Sequence, residues 1–110
     1  MKDQRVYLQH ILECIESIVE YTSIGRDEFQ ASRMAQDATL RRLQVMAEST
    51  QRLSDDLKAK HPDIDWRALS GFRNVLAHDY LGLDIDQVFS ATQRSLPSLR
   101  SAIESLLNSL

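Results

Sequence analysis

From Ile85 onward, Phe89, Thr92, Leu96, Leu99, Ile103, Leu106 and Leu110 follow one another in alternating four- and three-residue steps. Side chains at that spacing return to one face of a helix. The segment therefore reads as one long amphipathic seam of bundle or coiled-coil type, starting at Asp84, which needs a partner along its whole length. Pro97 interrupts it. An interior proline removes one backbone hydrogen bond and crowds the carbonyl four residues back, which predicts a kink or two abutting helices.

The rest of the chain supplies helical partners and nothing that reads as a strand. Glycine occurs three times and proline twice, and no stretch alternates apolar and polar residues with β-branched enrichment. Leu8, Ile11, Leu12, Ile15, Ile18 and Val19 repeat at helical spacing behind Asp3 in a capping position, with Gly25 as the stop. A short helix is expected after Asp27, carrying Phe29 and Met34. A longer one with Leu40, Leu43, Met46, Ala47, Leu53 and Leu57 follows and ends at His61-Pro62. Asp63 or Asp65 can cap a further helix with Trp66, Leu69, Phe72 and Leu76, closed near Tyr80 by Gly82. The predicted architecture is all-α: a single domain over residues 1–110, an up-and-down four-helix bundle with an additional short helix.

Size and composition narrow the function classes. A chain of 110 residues, 43% hydrophobic and 26% charged, has ordinary globular composition. At this length a fold buries about two-thirds of its unfolded surface, leaving little room for a deep internal pocket and favouring a site between subunits. Cys14 is the single cysteine, so no intrachain disulfide forms and no oxidising compartment is implied. The sequence shows no apolar run of signal-peptide or membrane-span length, so a cytoplasmic location without membrane association is expected. A net charge of −3 argues against a general nucleic-acid coat. The charge is uneven: −3 over residues 1–40, +1 over 41–80 and −1 over 81–110, leaving the middle segment least repulsive to phosphate.

Within that middle segment, Phe72-Arg73-Asn74-Val75-Leu76-Ala77-His78-Asp79-Tyr80 is unlike its surroundings. On a helix Asn74 and His78 face the same way, with Arg73 on the flank. Arginine stays charged and grips a phosphate through paired hydrogen bonds. Histidine, with an ordinary pKa of about 6.5, takes or gives a proton near neutrality. A neighbouring arginine favours its neutral form, the form that can deprotonate a ribose 2′-hydroxyl, and no metal or cofactor is then needed. Spacing alone leaves a structural reading open, in which His78 interacts with free carbonyls at a helix end and Arg73 makes a surface ion pair.

The segment resembles the signature of the HEPN superfamily: an arginine, four intervening residues of which the first is often polar, a histidine and, in one branch, any residue followed by tyrosine. Arg73, His78 and Tyr80 match it, with Asn74 at the polar position. The likeness extends over nearly the whole chain. Asp37 to Glu48, His61-Pro62 to Trp66, Phe72 to Tyr80 and Leu96-Pro97 to Leu99 run in the order of HepT-like toxins. Two positions depart from the pattern: Ala47 precedes Glu48, and Asp79 follows the histidine, where glycine is expected in both. Asp79 sets a negative charge beside the phosphate position, which either weakens turnover or orients His78.

The resemblance implies a HEPN-like homodimer acting as a metal-independent endoribonuclease toxin. Arg73 and His78 of both subunits would line one cleft, Asn74 and Asp79 would support them, and RNA would be the substrate. It also implies a second partner, a minimal nucleotidyltransferase antitoxin that silences the toxin by transferring AMP to Tyr80. A different class of function stays in play: a non-catalytic helical subunit that binds or regulates a nucleotidyltransferase, in which Tyr80 matters and His78 does not. Nucleotide binding by the same cleft is a third reading.

Outside that segment, Arg41 and Arg42 are candidates to extend a phosphate- or RNA-contacting surface, although adjacent arginines on a long helix are commonly just solvated. Glu48, among apolar neighbours, is a candidate to face the site. His10 and His61 are poor metal candidates, with one cysteine and no histidine pair at helical spacing. Trp66 and Phe72 share the spacing of Leu69 and Leu76 and read as core anchors.

Overall fold

The computed structural model describes residues 3–71, 82 and 84–110, and among these every regular element is a helix. The first, α1 (Gln4–Thr22), begins where expected, with the Asp3 side chain accepting from the Arg5 N–H at 2.9 Å. It buries Leu8, Ile11, Cys14, Ile15 and Ile18 completely. Leu12 is partly buried against the core and Val19 is 44% exposed, so not every apolar position of this repeat is core. At about 100° per residue Val19 lies roughly 80° round from Ile11, on the flank of the stripe. The helix stops at Thr22, three residues short of Gly25. Gly25 instead takes a left-handed conformation, φ 92°, and its carbonyl accepts from the Phe29 N–H at 2.9 Å to open the next helix.

That helix, α2 (Arg26–Ala31), has one buried residue, Phe29. Met34, expected in the same short helix, belongs to α3 (Arg33–Gln51) and is 83% exposed. The boundary is set by Ser32, whose hydroxyl accepts from the Ala35 N–H at 3.1 Å. The expected continuous helix through Leu57 is also corrected. It ends at Gln51, Leu53 is buried in the turn, and Ser54 caps a separate α4 (Asp55–Ala59) by accepting from the Leu57 N–H. Asp55 and Asp56 in its first turn complement the helix dipole, so Ser54-Asp55-Asp56 is a start signal inside an apolar repeat. Residues 66–71 are helical, here called α5, with the Asp65 carboxylate accepting from the Ala68 N–H at 2.9 Å.

The last helix, α6 (Ile85–Asn108), is one helix with Pro97 inside it, and two abutting helices are not formed. Its Asp84 cap accepts from the Asp86 and Gln87 N–H groups. Phe89, Thr92, Leu96, Leu99, Ile103 and Leu106 are buried as the seam requires, while Leu110 is 48% exposed at the chain end. The described residues thus contain three long helices, α1, α3 and α6, with two short ones, α2 and α4, where one was expected, and the helical residues 66–71 of α5.

End contacts fix the helix directions. Gln4 at the start of α1 bonds the Arg52 carbonyl and the Ser54 N–H just past α3, and Arg5 donates to the Leu110 oxygen just past α6. Hence α1 runs antiparallel to both α3 and α6. At the opposite end α2 lies across the beginnings of α3 and α6, with Gln36 donating to the Phe29 and Gln30 carbonyls. Ile15 sits fully buried where α1 meets this core. Ile15→Ala is expected to lower unfolding free energy by about 2–5 kcal/mol, read from the urea midpoint. An unchanged midpoint would mean that α1 is not packed as described.

Candidate functional site

Arg73, Asn74, His78, Asp79 and Tyr80, the residues that the sequence marks for chemistry, lie outside the described residues, as do Phe72 and Leu76. What the structure describes is how the chain is held on either side of them. On the entry side, Trp66 is partly buried and its Nε1–H donates to the Lys58 and His61 carbonyls, both at 3.1 Å. Those acceptors sit at the end of α4 and in the turn beyond it, so Trp66 locks the connection from α4 to α5. Leu69 packs against the core, and the Gln51 amide at the end of α3 reaches the Ser70 carbonyl at 3.5 Å.

On the exit side, α2 clamps the first turns of α6. The Arg26 guanidinium bonds the Asp86 carboxylate and the Ser90 hydroxyl and lies 5.0 Å from the centre of the Phe89 ring. Phe89 in turn meets Phe29 at 5.3 Å between ring centres, with the rings tilted at 52°. Gln30 also donates to Asp86. Arg26 and Asp86 are each about half exposed, so the ion pair contributes at most about 1 kcal/mol. The tilted ring pair beneath is buried and contributes comparably beyond its area. Nothing in the sequence marks Arg26 for this role, since its partners are 60 and more residues away.

The adjacent arginines Arg41 and Arg42 behave differently. Arg41, on α3, is exposed and donates to Gln44 one turn on. Arg42 turns toward α1, where a hydrogen bond to Tyr21 raises its already high pKa and the Cys14 thiol lies within reach. Burial pushes the Cys14 thiol above its ordinary value, and the Arg42 charge pulls it partly back. Glu48 is exposed on α3. His10 is half-buried, with Nδ1 at 3.0 Å from the Ser49 hydroxyl, and His61 contributes its carbonyl to Trp66. Among the described residues no three His, Cys, Asp or Glu side chains converge as a metal site would require, and no helix is long and apolar enough to cross a membrane.

Comparison with known proteins supplies a family. Residues 11–106 match the family model described as "Ribonuclease HepT-like". The chain is 33% identical over 110 residues to a Methanocaldococcus jannaschii protein named "Gamma-glutamylcyclotransferase and putative RNase". That alignment takes in 99% of this chain and 50% of the relative, so the chain spans about half of that protein's length. It is also 32% identical over 106 residues to a Thermococcus cleftensis protein named "Probable ribonuclease HepT", covering 96% of each. No solved structure matches.

Proposed function

Because the chain belongs to the ribonuclease HepT-like family, we propose that it is a metal-independent endoribonuclease whose site is built from Arg73 and His78 of two subunits. The observation that carries this reading is the Arg73-x4-His78-x-Tyr80 spacing in a chain matched by the family model along residues 11–106. Relatives named as ribonucleases support the class of reaction. The anchored flanks suit it too, since a site needs its catalytic segment tied at both ends to a packed scaffold.

The chemistry follows from the side chains. Neutral His78 takes the proton of a ribose 2′-hydroxyl, and that oxygen attacks the adjacent phosphorus. The bond to the 5′-oxygen breaks, the leaving oxygen takes up a proton, and a 2′,3′-cyclic phosphate remains. Arg73 binds the phosphate and stabilises the charge that grows on its oxygens at the transition state. Asn74 and Asp79 orient the imidazole. A dimer brings a second Arg73 and His78 into the cleft, supplying both an acid and a base.

Tyr80 is the point of control. A minimal nucleotidyltransferase directs the phenol oxygen onto the α-phosphorus of ATP. An O–P bond forms, the bond to the β-phosphate bridge breaks, pyrophosphate leaves and the phenol proton is released. The attached AMP adds bulk and negative charge beside the cleft and repels RNA. The purified dimer is expected to cut single-stranded RNA in excess EDTA. Cleavage that appears only when a divalent metal is restored would overturn the reading.

A further inference from the structure

A row of side chains at the seam of α1 and α3 joins the edge of the core to an open polar surface. On α1, His10, Cys14, Ser17 and Tyr21 follow at four-, three- and four-residue steps and share one face. On α3, Ala38, Arg42, Val45 and Ser49 follow at four-, three- and four-residue steps, with Arg41 beside them. The antiparallel register brings His10 to Ser49 at one end and Tyr21 to Arg42 toward the other. Between the helices lies an open groove of about 520 Å³, floored by Ala38 and Val45 and lined by His10, Tyr21, Arg41 and Arg42.

We propose that this groove, lined by Arg41, Arg42, His10 and Tyr21, holds the phosphate backbone of single-stranded RNA as a binding track built from α1 and α3. The proposal rests on the ribonuclease reading for its choice of ligand. Its physical basis lies in the groove itself. Two adjacent guanidiniums, Arg41 exposed and Arg42 half-buried with Tyr21 in the same lining, offer forked donors matched to phosphate oxygens. Glu13 and Glu20 stand exposed at flanking positions of α1 and repel phosphate, so the strand is held on the α3 side of the groove, where Arg41 and Arg42 lie. His10 and Tyr21 are eleven residues apart, about 16 Å along the helix at 1.5 Å per residue. That length suits an extended strand better than one nucleotide. The two rings, one at each end, provide faces on which bases can stack.

The test uses full-length His78→Ala protein, which leaves RNA intact, and fluorescein-labelled single-stranded RNA followed by anisotropy over a salt series. Arg41→Gln, at an exposed position, is expected to weaken binding several-fold and to flatten the slope of log affinity against log salt by about 0.7 for one lost phosphate contact. Arg42→Gln is expected to do the same, with a thermal melt alongside because Arg42 also holds Tyr21. Unchanged affinity and slope in Arg41→Gln overturn the track, as does binding of free AMP as tightly as the RNA. Cleavage by the wild-type protein is scored separately. A protein that binds RNA through Arg41 yet never cuts it contradicts the ribonuclease reading and leaves the track standing. One that cuts while Arg41→Gln binds normally does the reverse.

Discussion

His78→Ala is expected to slow RNA cleavage by about 100-fold or more, because a positioned acid or base contributes about 10²–10⁴ to such a step. In free energy that is about 2.7 kcal/mol or more of lost transition-state stabilisation. Arg73→Ala should cost as much, by removing charge stabilisation of the phosphorane, and Arg73→Lys should restore only part of it, since an ammonium lacks the planar fork. Single-turnover cleavage of a defined oligonucleotide, with matched thermal melts, separates these effects from unfolding. His78→Ala protein that cuts at the wild-type rate removes the histidine from the mechanism and leaves only the structural reading of a helix-end imidazole.

Tyr80→Phe is expected to abolish AMP attachment outright while leaving cleavage close to wild type, because it deletes the acceptor oxygen and little else. Mixed with ATP and a minimal nucleotidyltransferase, wild-type protein should gain one or more AMP masses and lose its ribonuclease activity. The Tyr80→Phe protein should gain none and stay active. Intact-mass measurement paired with the RNA assay reads both. AMP on the Tyr80→Phe protein would place the acceptor elsewhere. AMP attachment to a wild-type protein that never cut RNA would favour the regulatory-subunit alternative.

How far the sequence carries the fold depends on whether a feature is local. The starts of α1 and α6 were legible because Asp3 and Asp84 cap their own helices within three residues. The seam of α6 was legible through Leu106 because its period is long and regular, and Pro97 did not divide it. The break at Ser54 was missed because apolar spacing runs on through Leu53 and Leu57, both buried, although the cap signal stood between them. Met34 was placed in the shorter helix because the Ser32 cap that starts α3 ahead of it was not read, and Val19 is exposed because hydrophobicity gives burial only where a neighbouring helix covers that side.

The candidate site divides the same way. Arg73, His78 and Tyr80 are adjacent in sequence, so their spacing alone exposes them, and the family match to residues 11–106 encloses them. The partnership of Arg42 with Tyr21 depends on the register between α1 and α3, which no local pattern encodes, so Tyr21 went unmarked while Arg41 and Arg42 drew notice by charge alone. The clamp of Arg26 on Asp86 and Ser90 is likewise invisible until α2 is laid across the start of α6.

The most direct measurement is the chemistry of the new RNA ends left by the purified, unmodified protein in EDTA. Attack by a 2′-hydroxyl on its own phosphate leaves a 2′,3′-cyclic phosphate on one fragment and a free 5′-hydroxyl on the other. Mass spectrometry of a short cleaved oligonucleotide should find that pair. Fragments ending in 5′-phosphate and 3′-hydroxyl would require water as the nucleophile, and would contradict a site in which His78 activates the ribose.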